Sequence, residues 1–329
     1  MKLEKIDFVV TWVDSNDLEW RKEKSKYSGK PSELNEENRY RDFGFFKYWF
    51  RAVEKYAPWV NKVYLVTNGQ KPTWINEKNN KLVLVSHEDY IPKEYLPTFN
   101  SNVIELNLHR IKGLSEHFVL FNDDVFLNNY TEPEDFFEKG LPRDYGVYTP
   151  LIPRDDFSMI VINNVRIINK HFNKKIDLKN NWKKFIYLRY GTMQLRSVLS
   201  FLWNEIPGYY NMHLTSSLLK STFKDVWDAE FDELSRVSDH KFRQINDLSH
   251  WLIKYWQIEQ GNFMPQSKKF GKVYFMEESK EIVRAMSDNF FKILCINDTN
   301  DLNMDINVHA DLIKKSLAKK FPTKSSFEM

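Results

Sequence analysis

The sequence predicts an α/β protein with a mostly parallel sheet, helices on both faces and a helical insertion in the second half. Three observations predict it. Short β-branched and aromatic runs alternate with helical spacing through the first half, as expected when parallel strands are joined by crossover helices. Three of the first four runs end in polar turn clusters. The second half is dominated by helix-like patterns and holds one late apolar run.

Ile6–Trp12 reads as a buried strand ending at Asp14-Ser15-Asn16-Asp17. Gly44–Tyr56 places Phe45, Trp49, Val53 and Tyr56 at helical spacing, and Pro58 stops it. Lys62–Thr67 and Lys81–Ser86 are further strands, the first closed by Asn68-Gly69. Asn102–Arg110 reads as a helix, with Ile104, Leu108 and Ile111 on one side. Phe118–Phe121 is a fourth strand, ending in Asn122-Asp123-Asp124. Asn164–Phe172, Thr192–Trp203 and Asp247–Gln257 have helical patterns, and Ile293–Ile296 is a strand followed by Asn297-Asp298. No repeat or low-complexity stretch interrupts the chain, and the best break lies near Pro150–Pro153. The expected organisation is a core over 1–150, a mainly helical insertion over 151–260 that carries the acceptor side, and a segment over 261–329 that returns to the core and ends in an amphipathic helix.

Composition narrows the function. The 329 residues are 42% hydrophobic and include 25 Phe, 16 Tyr and 10 Trp, enough for a sizeable core. Forty-eight basic residues face 45 acidic ones, and no polybasic block marks a nucleic-acid binder. Ten glycines argue against a glycine-built phosphate loop. A single cysteine, Cys295, excludes an intramolecular disulfide and points to a reducing compartment, with a secreted protein free of disulfides as the alternative. The first apolar run is too short for a signal-peptide core, and no stretch matches a membrane span. Lys314, Lys315, Lys319 and Lys320 on the terminal helix read as a solvated face, with weak attraction to a membrane surface as the minority reading.

Ligands of parallel α/β sheets bind beyond the carboxyl ends of the strands. Three strand ends carry acidic or amide clusters: Asp14/Asp17, Asn122-Asp123-Asp124 and Asn297-Asp298. Adjacent carboxylates there suit a hard divalent cation bridging phosphate oxygens. The same residues are ordinary turn formers. Arg39 and Arg41, in NRYRDFG, suit either phosphate binding or a solvated loop. Glu105, His213 and Arg243 sit in no local motif that physics alone singles out.

Longer strings add what spacing does not. IDFVVTWVDSND (6–17) resembles the first conserved block of the Stealth family. NRYRDFGFFKYWFRAVEKYAPWVNKVYLVTNGQKPTWI and LPTFNSNVIELNLHRIKGLSEHFVLFNDDVFL resemble its second. MHLTSSLLKSTF to SDHKFRQINDLSHWL resembles the third, CINDTND the fourth, and SSFE near the end recurs in bacterial members. The resemblance implies a glycosyltransferase-A-like, Rossmann-like fold. It implies transfer of a sugar 1-phosphate, with an N-acetylhexosamine as the expected sugar, from a UDP-sugar to a saccharide hydroxyl, with release of UMP, in capsular or cell-wall polysaccharide synthesis. The acceptor would be an oligosaccharide or a lipid-linked saccharide, reached from the cytoplasm or the inner membrane face. Residue by residue, it implies catalytic roles for Glu105, Asp123, His213 and Arg243; the strand-end carboxylates Asp123 and Asp124, with Asp298 as a third ligand, are expected to hold a Mg²⁺ or Mn²⁺ ion. Asp7 matches an important aspartate of the first block. Asp7, Asp14, Arg39, Arg41, Asn68, Asn100 and Asn164 complete the expected substrate contacts. Thr215 departs from the family, which has proline two residues after the histidine. A glycosyltransferase releasing UDP, or a non-catalytic polysaccharide-binding module, are the alternatives.

Overall fold

A computed structural model describes residues 4–28, 33–36, 40–298 and 305–329. β1 (Ile6–Thr11), β2 (Val63–Thr67), β3 (Leu82–Ser86) and β4 (His117–Phe121) are parallel, in the order β3-β2-β1-β4. The chain then runs through Asn122–Asp124 directly into β5 (Val125–Leu127), which belongs to a second sheet. A hairpin of β6 (Phe137–Glu138) and β7 (Leu141–Asp144) follows. β8 (Ser216–Leu219) returns to the first sheet, antiparallel to β4. β9 (Met264–Pro265) extends β7, while β10 (Gly271–Phe275) and β11 (Ile293–Asn297) complete the second sheet with β5. The mostly parallel α/β sheet expected from the sequence is therefore the centre of the fold.

Period-2 alternation divides the core. Ile6, Phe8, Val10, Val63, Leu65, Val119 and Phe121 face one apolar layer, and Val9, Tyr64, Val66, Phe118 and Leu120 face the other. Helix α1 (Leu18–Tyr27) is capped by Asp17, and α2 (Phe46–Tyr56) buries Phe46, Trp49, Phe50 and Val53 at helical spacing against the first layer. α3 (Ser101–Leu106) is shorter than its pattern, because Leu108–Arg110 tightens into a 3₁₀ turn. α4 (Asp156–His171), α5 (Lys174–Phe185) and α6 (Met193–Ser200) make up the insertion. α7 (Lys220–Ala229), α8 (Phe231–Ser238) and α9 (Trp251–Glu259) pack in the second layer, and α10 (Ser279–Asp288) and α11 (Ile306–Lys320) in the first.

Two differences from the sequence reading matter. The stretch 151–260 is not wholly an insertion, since β8 is an edge strand of the central sheet. Gln257 of α9 satisfies its outer edge, accepting from Leu219 N at 2.9 Å and donating to Ser217 O at 3.3 Å. Nor is the basic face of α11 wholly solvated. Lys320 turns inward to Asn128 Oδ1 at 2.7 Å and Asn289 Oδ1 at 2.6 Å, and burial pushes its amine down to about 8.

The SSFE string has a plain physical role. Glu328 meets Arg51 of α2 through two parallel bonds of 2.7 Å, with Arg51 Nη1 on Phe321 O and Ser325 N on Glu328 Oε1. Burial would raise the Glu328 carboxyl, but the Arg51 and Ser325 bonds outweigh it and hold it below its ordinary value. Its contribution is therefore present above the unfolded value of ~4.3 and lost as pH falls through the lower folded value. Glu328→Ala should cost about 3 kcal/mol in denaturant unfolding at neutral pH, because it strands the Arg51 charge. The difference from wild type should shrink in acid.

Candidate active site

β1 lies between β2 and β4, so the chain leaves it toward β2 and β3 and later starts β4 on the other side. Such a switch point opens a crevice at the carboxyl ends of the strands. The cleft found there encloses about 800 Å³, its open mouth included. Thr11, Trp12 and Val13 enter it at the end of β1, Asn68 after β2, and Asn122 and Asp123 after β4. Ser101 and Glu105 of α3 and Arg243 close it opposite, and Trp20, Tyr40 and Phe99 form an aromatic wall.

Asp123 and Asp124 occupy the short link that joins the two sheets. Burial, together with the charges of Asp124 and Asp42, pushes the Asp123 carboxyl up to about 8. Pairing of β11 with β5 sets Cys295 opposite Val125, and Cys295 Sγ lies 3.5 Å from Asp124 Oδ2. Burial, then the Asp124 charge, raises that thiol well above its ordinary value.

His213 arrives by strand pairing. β8 runs antiparallel to β4 with Ser216 opposite Leu120, so the residues just before β8 reach the same sheet end as Asp123. His213 Nε2 stands 3.3 Å from Asp124 Oδ2. Burial pulls the imidazole down, but Asp124, aided by Glu105, holds it above its ordinary value against the opposing Arg243 charge. Two residues upstream, Asn211 Oδ1 accepts from the buried Lys254 at 3.0 Å, and Asn211 Nδ2 donates to Tyr255 at 2.7 Å. Thr215 lies immediately before β8, and with threonine at that position His213 still reaches the Asp124 carboxylate.

Arg243 is placed from two sides. Its Nε donates to Ser101 Oγ at 3.1 Å, and its backbone N–H and C=O bond the Asn35 side chain at 3.1 and 3.0 Å. Glu105 is buried, and its Oε2 lies 2.6 Å from His250 Nδ1. His250 Nε2 in turn lies 3.2 Å from Ser216 Oγ. Glu105, Asp123, Asp124, His213 and Arg243, drawn from separate segments, thus meet at one sheet end.

Other expected site residues do not join them. Asp7 is fully buried near the amino end of β1, accepting from Asn61 Nδ2, Lys62 N and Ser115 N at 2.6, 3.1 and 2.8 Å. Its job is to tie loops at the end of the sheet away from the cleft. Asp14 accepts from Asn16 N at 2.8 Å in its turn and is braced by Gln70. Asn100 caps α3 and donates to Asp247 at 2.8 Å, and Asn164 is fully buried on Ser249. Both are structural. Asn68 does line the cleft, and its Oδ1 is buried without a hydrogen-bond partner. Arg41 pairs with Asp298 at 3.0 Å, which engages the expected third metal ligand in a salt bridge. Arg39 lies outside the described residues.

The donor set also differs from the expected one. Asp124, His213 and Cys295 offer donor atoms within 4.8 Å of one another, a softer mixture than carboxylates alone. Asp124 Oδ1 is buried without a partner, and Asp123 beside it is charge-crowded. Both observations fit a divalent cation, which would relieve them. Residues that the sequence reading missed are the aromatic wall, Ser101, and the His250 and Ser216 that align behind Glu105. His250 and Ser216 stood in the third-block strings with nothing local to mark them.

Comparison with known proteins places this geometry. Residues 4–32 match Stealth protein CR1, conserved region 1, and residues 39–144 match Stealth protein CR2, conserved region 2. A capsular polysaccharide phosphotransferase WcwK of Streptococcus pneumoniae is 48% identical, over 99% of this chain and 98% of its own. An exopolysaccharide phosphotransferase cps2G of Lactiplantibacillus plantarum is 41% identical over 98% and 96%, and a receptor polysaccharide phosphotransferase WefC of Streptococcus gordonii is 42% identical over 99% and 100%. Among solved structures, the galactosyltransferase LgtC aligns over 94% of this chain and 95% of its own, at a TM-score of 0.40 and 8% identity, too distant to carry any residue across. With both conserved regions matched and near-full-length identity above 40%, the chain belongs to the Stealth family.

Proposed function

We propose that the protein is a polysaccharide phosphotransferase that moves a sugar 1-phosphate from a UDP-sugar, with an N-acetylhexosamine the expected sugar, to a hydroxyl of a saccharide acceptor, releasing UMP. One observation carries the reading. Glu105, Asp123, Asp124, His213 and Arg243 converge at the switch point of a chain related end to end to polysaccharide phosphotransferases.

The acceptor oxygen attacks the donor's β-phosphorus, the bond from that phosphorus to the bridging oxygen breaks, and UMP leaves with the electron pair. The sugar–oxygen bond is untouched, so anomeric configuration is retained. Such transfers depend on positioning and charge neutralisation. Trp20, Tyr40 and Phe99 give the uracil ring a stacking wall. Arg243, its head braced by Ser101, grips an equatorial phosphoryl oxygen. The acceptor proton passes to Glu105 or His213. Glu105 has the better-defined orientation, through His250. Raised above its ordinary value by Asp124, the His213 imidazole is a stronger base than a free one. Asp123 and Asp124 would hold a Mg²⁺ or Mn²⁺ ion, which supplies Lewis-acid charge neutralisation on the diphosphate.

Incubation with a panel of UDP-N-acetylhexosamines and an oligosaccharide acceptor should yield UMP and a phosphodiester-linked saccharide. Release of UDP with a simple glycoside would instead make the protein a glycosyltransferase. Excess chelator should abolish turnover and Mg²⁺ or Mn²⁺ restore it, and Asp124→Asn should be inactive with its melting temperature near that of wild type. Full turnover in chelator would reject the metal. Arg243→Lys should lose most activity, since a point charge cannot reproduce a planar fork. His213→Ala should slow turnover by ~10²-fold or more with little change in melting temperature. A large stability loss with activity spared in the folded fraction would make His213 a core residue instead.

A further inference from the structure

The segment between α4 and the His213 loop is a helical hairpin built inside out. α5 and α6 are tied antiparallel. Lys174 at the head of α5 donates to the carbonyls of Ser200, Trp203 and Glu205 beyond the end of α6, and Gln194 at the head of α6 bonds Phe185 O and Tyr187 N at 2.9 Å. Both helices rest on Tyr148, whose ring stacks on Phe185 at 5.1 Å and whose N–H donates to Ser197 Oγ at 3.2 Å. α6 turns its polar side to that support, with Ser197 and Ser200 fully buried. Its apolar stripe, Leu195, Val198, Leu199 and, just past its end, Leu202, points to solvent at the spacing of one helical face. Trp182, Ile186 and Leu188 of the same hairpin are exposed too, Leu188 to 98% and Leu202 to 83%.

Single exposed apolar residues are ordinary, but a contiguous stripe marks a surface that meets another apolar phase. The charge pattern says which. Lys175, Lys179, Lys183, Arg189 and Arg196 are all exposed on this hairpin. Residues 174–203 hold seven basic side chains and one acidic, a net +6 in a chain of net +3, so the remainder is net negative. Apolar side chains ringed by cations fit a layer of anionic headgroups over acyl chains. A second copy of the hairpin would set cation against cation. α11 lacks this character, because its Ile313 and Leu317 are spent on the core.

We propose that the α5–α6 hairpin docks the protein on an anionic lipid bilayer, lying in the interface without crossing it. Among the described residues no helix is long and apolar enough to span a membrane, so the contact is peripheral. Tyr187 and Met193 pack against the same buried cluster of Tyr145, Val147 and Tyr190 as Tyr210 and Met212, next to His213, so the docking face borders the histidine side of the cleft. On the proposed function, that face delivers a lipid-linked acceptor to His213. The docking itself stands on the surface alone.

The test is flotation of the full chain with phosphatidylcholine vesicles, with and without phosphatidylglycerol. Binding should require the anionic lipid and weaken at high salt. Leu199→Gln/Leu202→Gln and Lys179→Gln/Lys183→Gln should each lower it on the order of tenfold while keeping the melting temperature. No flotation of wild type with anionic vesicles, or flotation unchanged in both double variants, overturns the proposal. So does a dimer in light scattering that the leucine variant dissociates while vesicles capture nothing, which would assign the stripe to a second copy. Both variants should keep wild-type UMP release on a water-soluble oligosaccharide acceptor. Wild type that floats but releases no nucleotide would count against the phosphotransferase reading and leave the docking standing.

Discussion

The site depends on one buried carboxylate that does no chemistry. Asp247 is fully enclosed, and its two oxygens receive the Asn100 and Asn102 side chains at 2.8 and 3.1 Å, Gln244 N at 3.2 Å and His240 Nδ1 at 2.6 Å. A charge taken out of water persists only where such partners replace its hydration. That requirement fixes the loop after α8 against the head of α3. With the two locked, Arg243 falls beside Ser101, and Glu105 comes one turn further along the same helix. Two groups nearly a hundred and forty residues apart in sequence thereby acquire a fixed separation.

Opposite them the chain crowds like charges together. The link from β4 to β5 is held by both sheets, so Asp123 and Asp124 cannot drift apart to ease their repulsion. Asp123 is left with a carboxyl pushed up to about 8, and Asp124 keeps one oxygen unpartnered. Rigid strands flank the charge and a tight turn carries it, the arrangement expected where incoming ligands, and not the protein, complete the electrostatics.

The strands and strand ends were legible because burial on both faces leaves continuous apolar runs, as in Ile6–Thr11 and Val63–Thr67. β5 and β8 were not, since three or four residues carry no period of their own. Family strings led to His213 and Arg243 where physics saw two isolated side chains. Asp7 and Asn100 within those strings, and Asn164 outside them, hold loops and helix ends instead, and sequence does not tell a buried polar group that binds backbone from one that binds ligand. The Glu105–His250 contact spans 145 positions and could only be seen folded. The hairpin's periodicity was visible over Thr192–Trp203, but the direction of its apolar stripe was not.

α9 is buried along nearly all its length, and its side chains leave it in several directions, each to a different job. His250 at its head meets Glu105, Lys254 and Tyr255 hold Asn211, Gln257 closes the edge of β8, and Glu259 receives the hydroxyls of Tyr148 and Tyr209 beneath the hairpin. Each residue of an α-helix advances about 100° around its axis. Loss or gain of one residue within α9 would turn all of these contacts out of register together. Evolution can therefore edit this helix by exchange of side chains but not by change of length, while the outward face of the neighbouring hairpin is free to drift with whatever surface it meets.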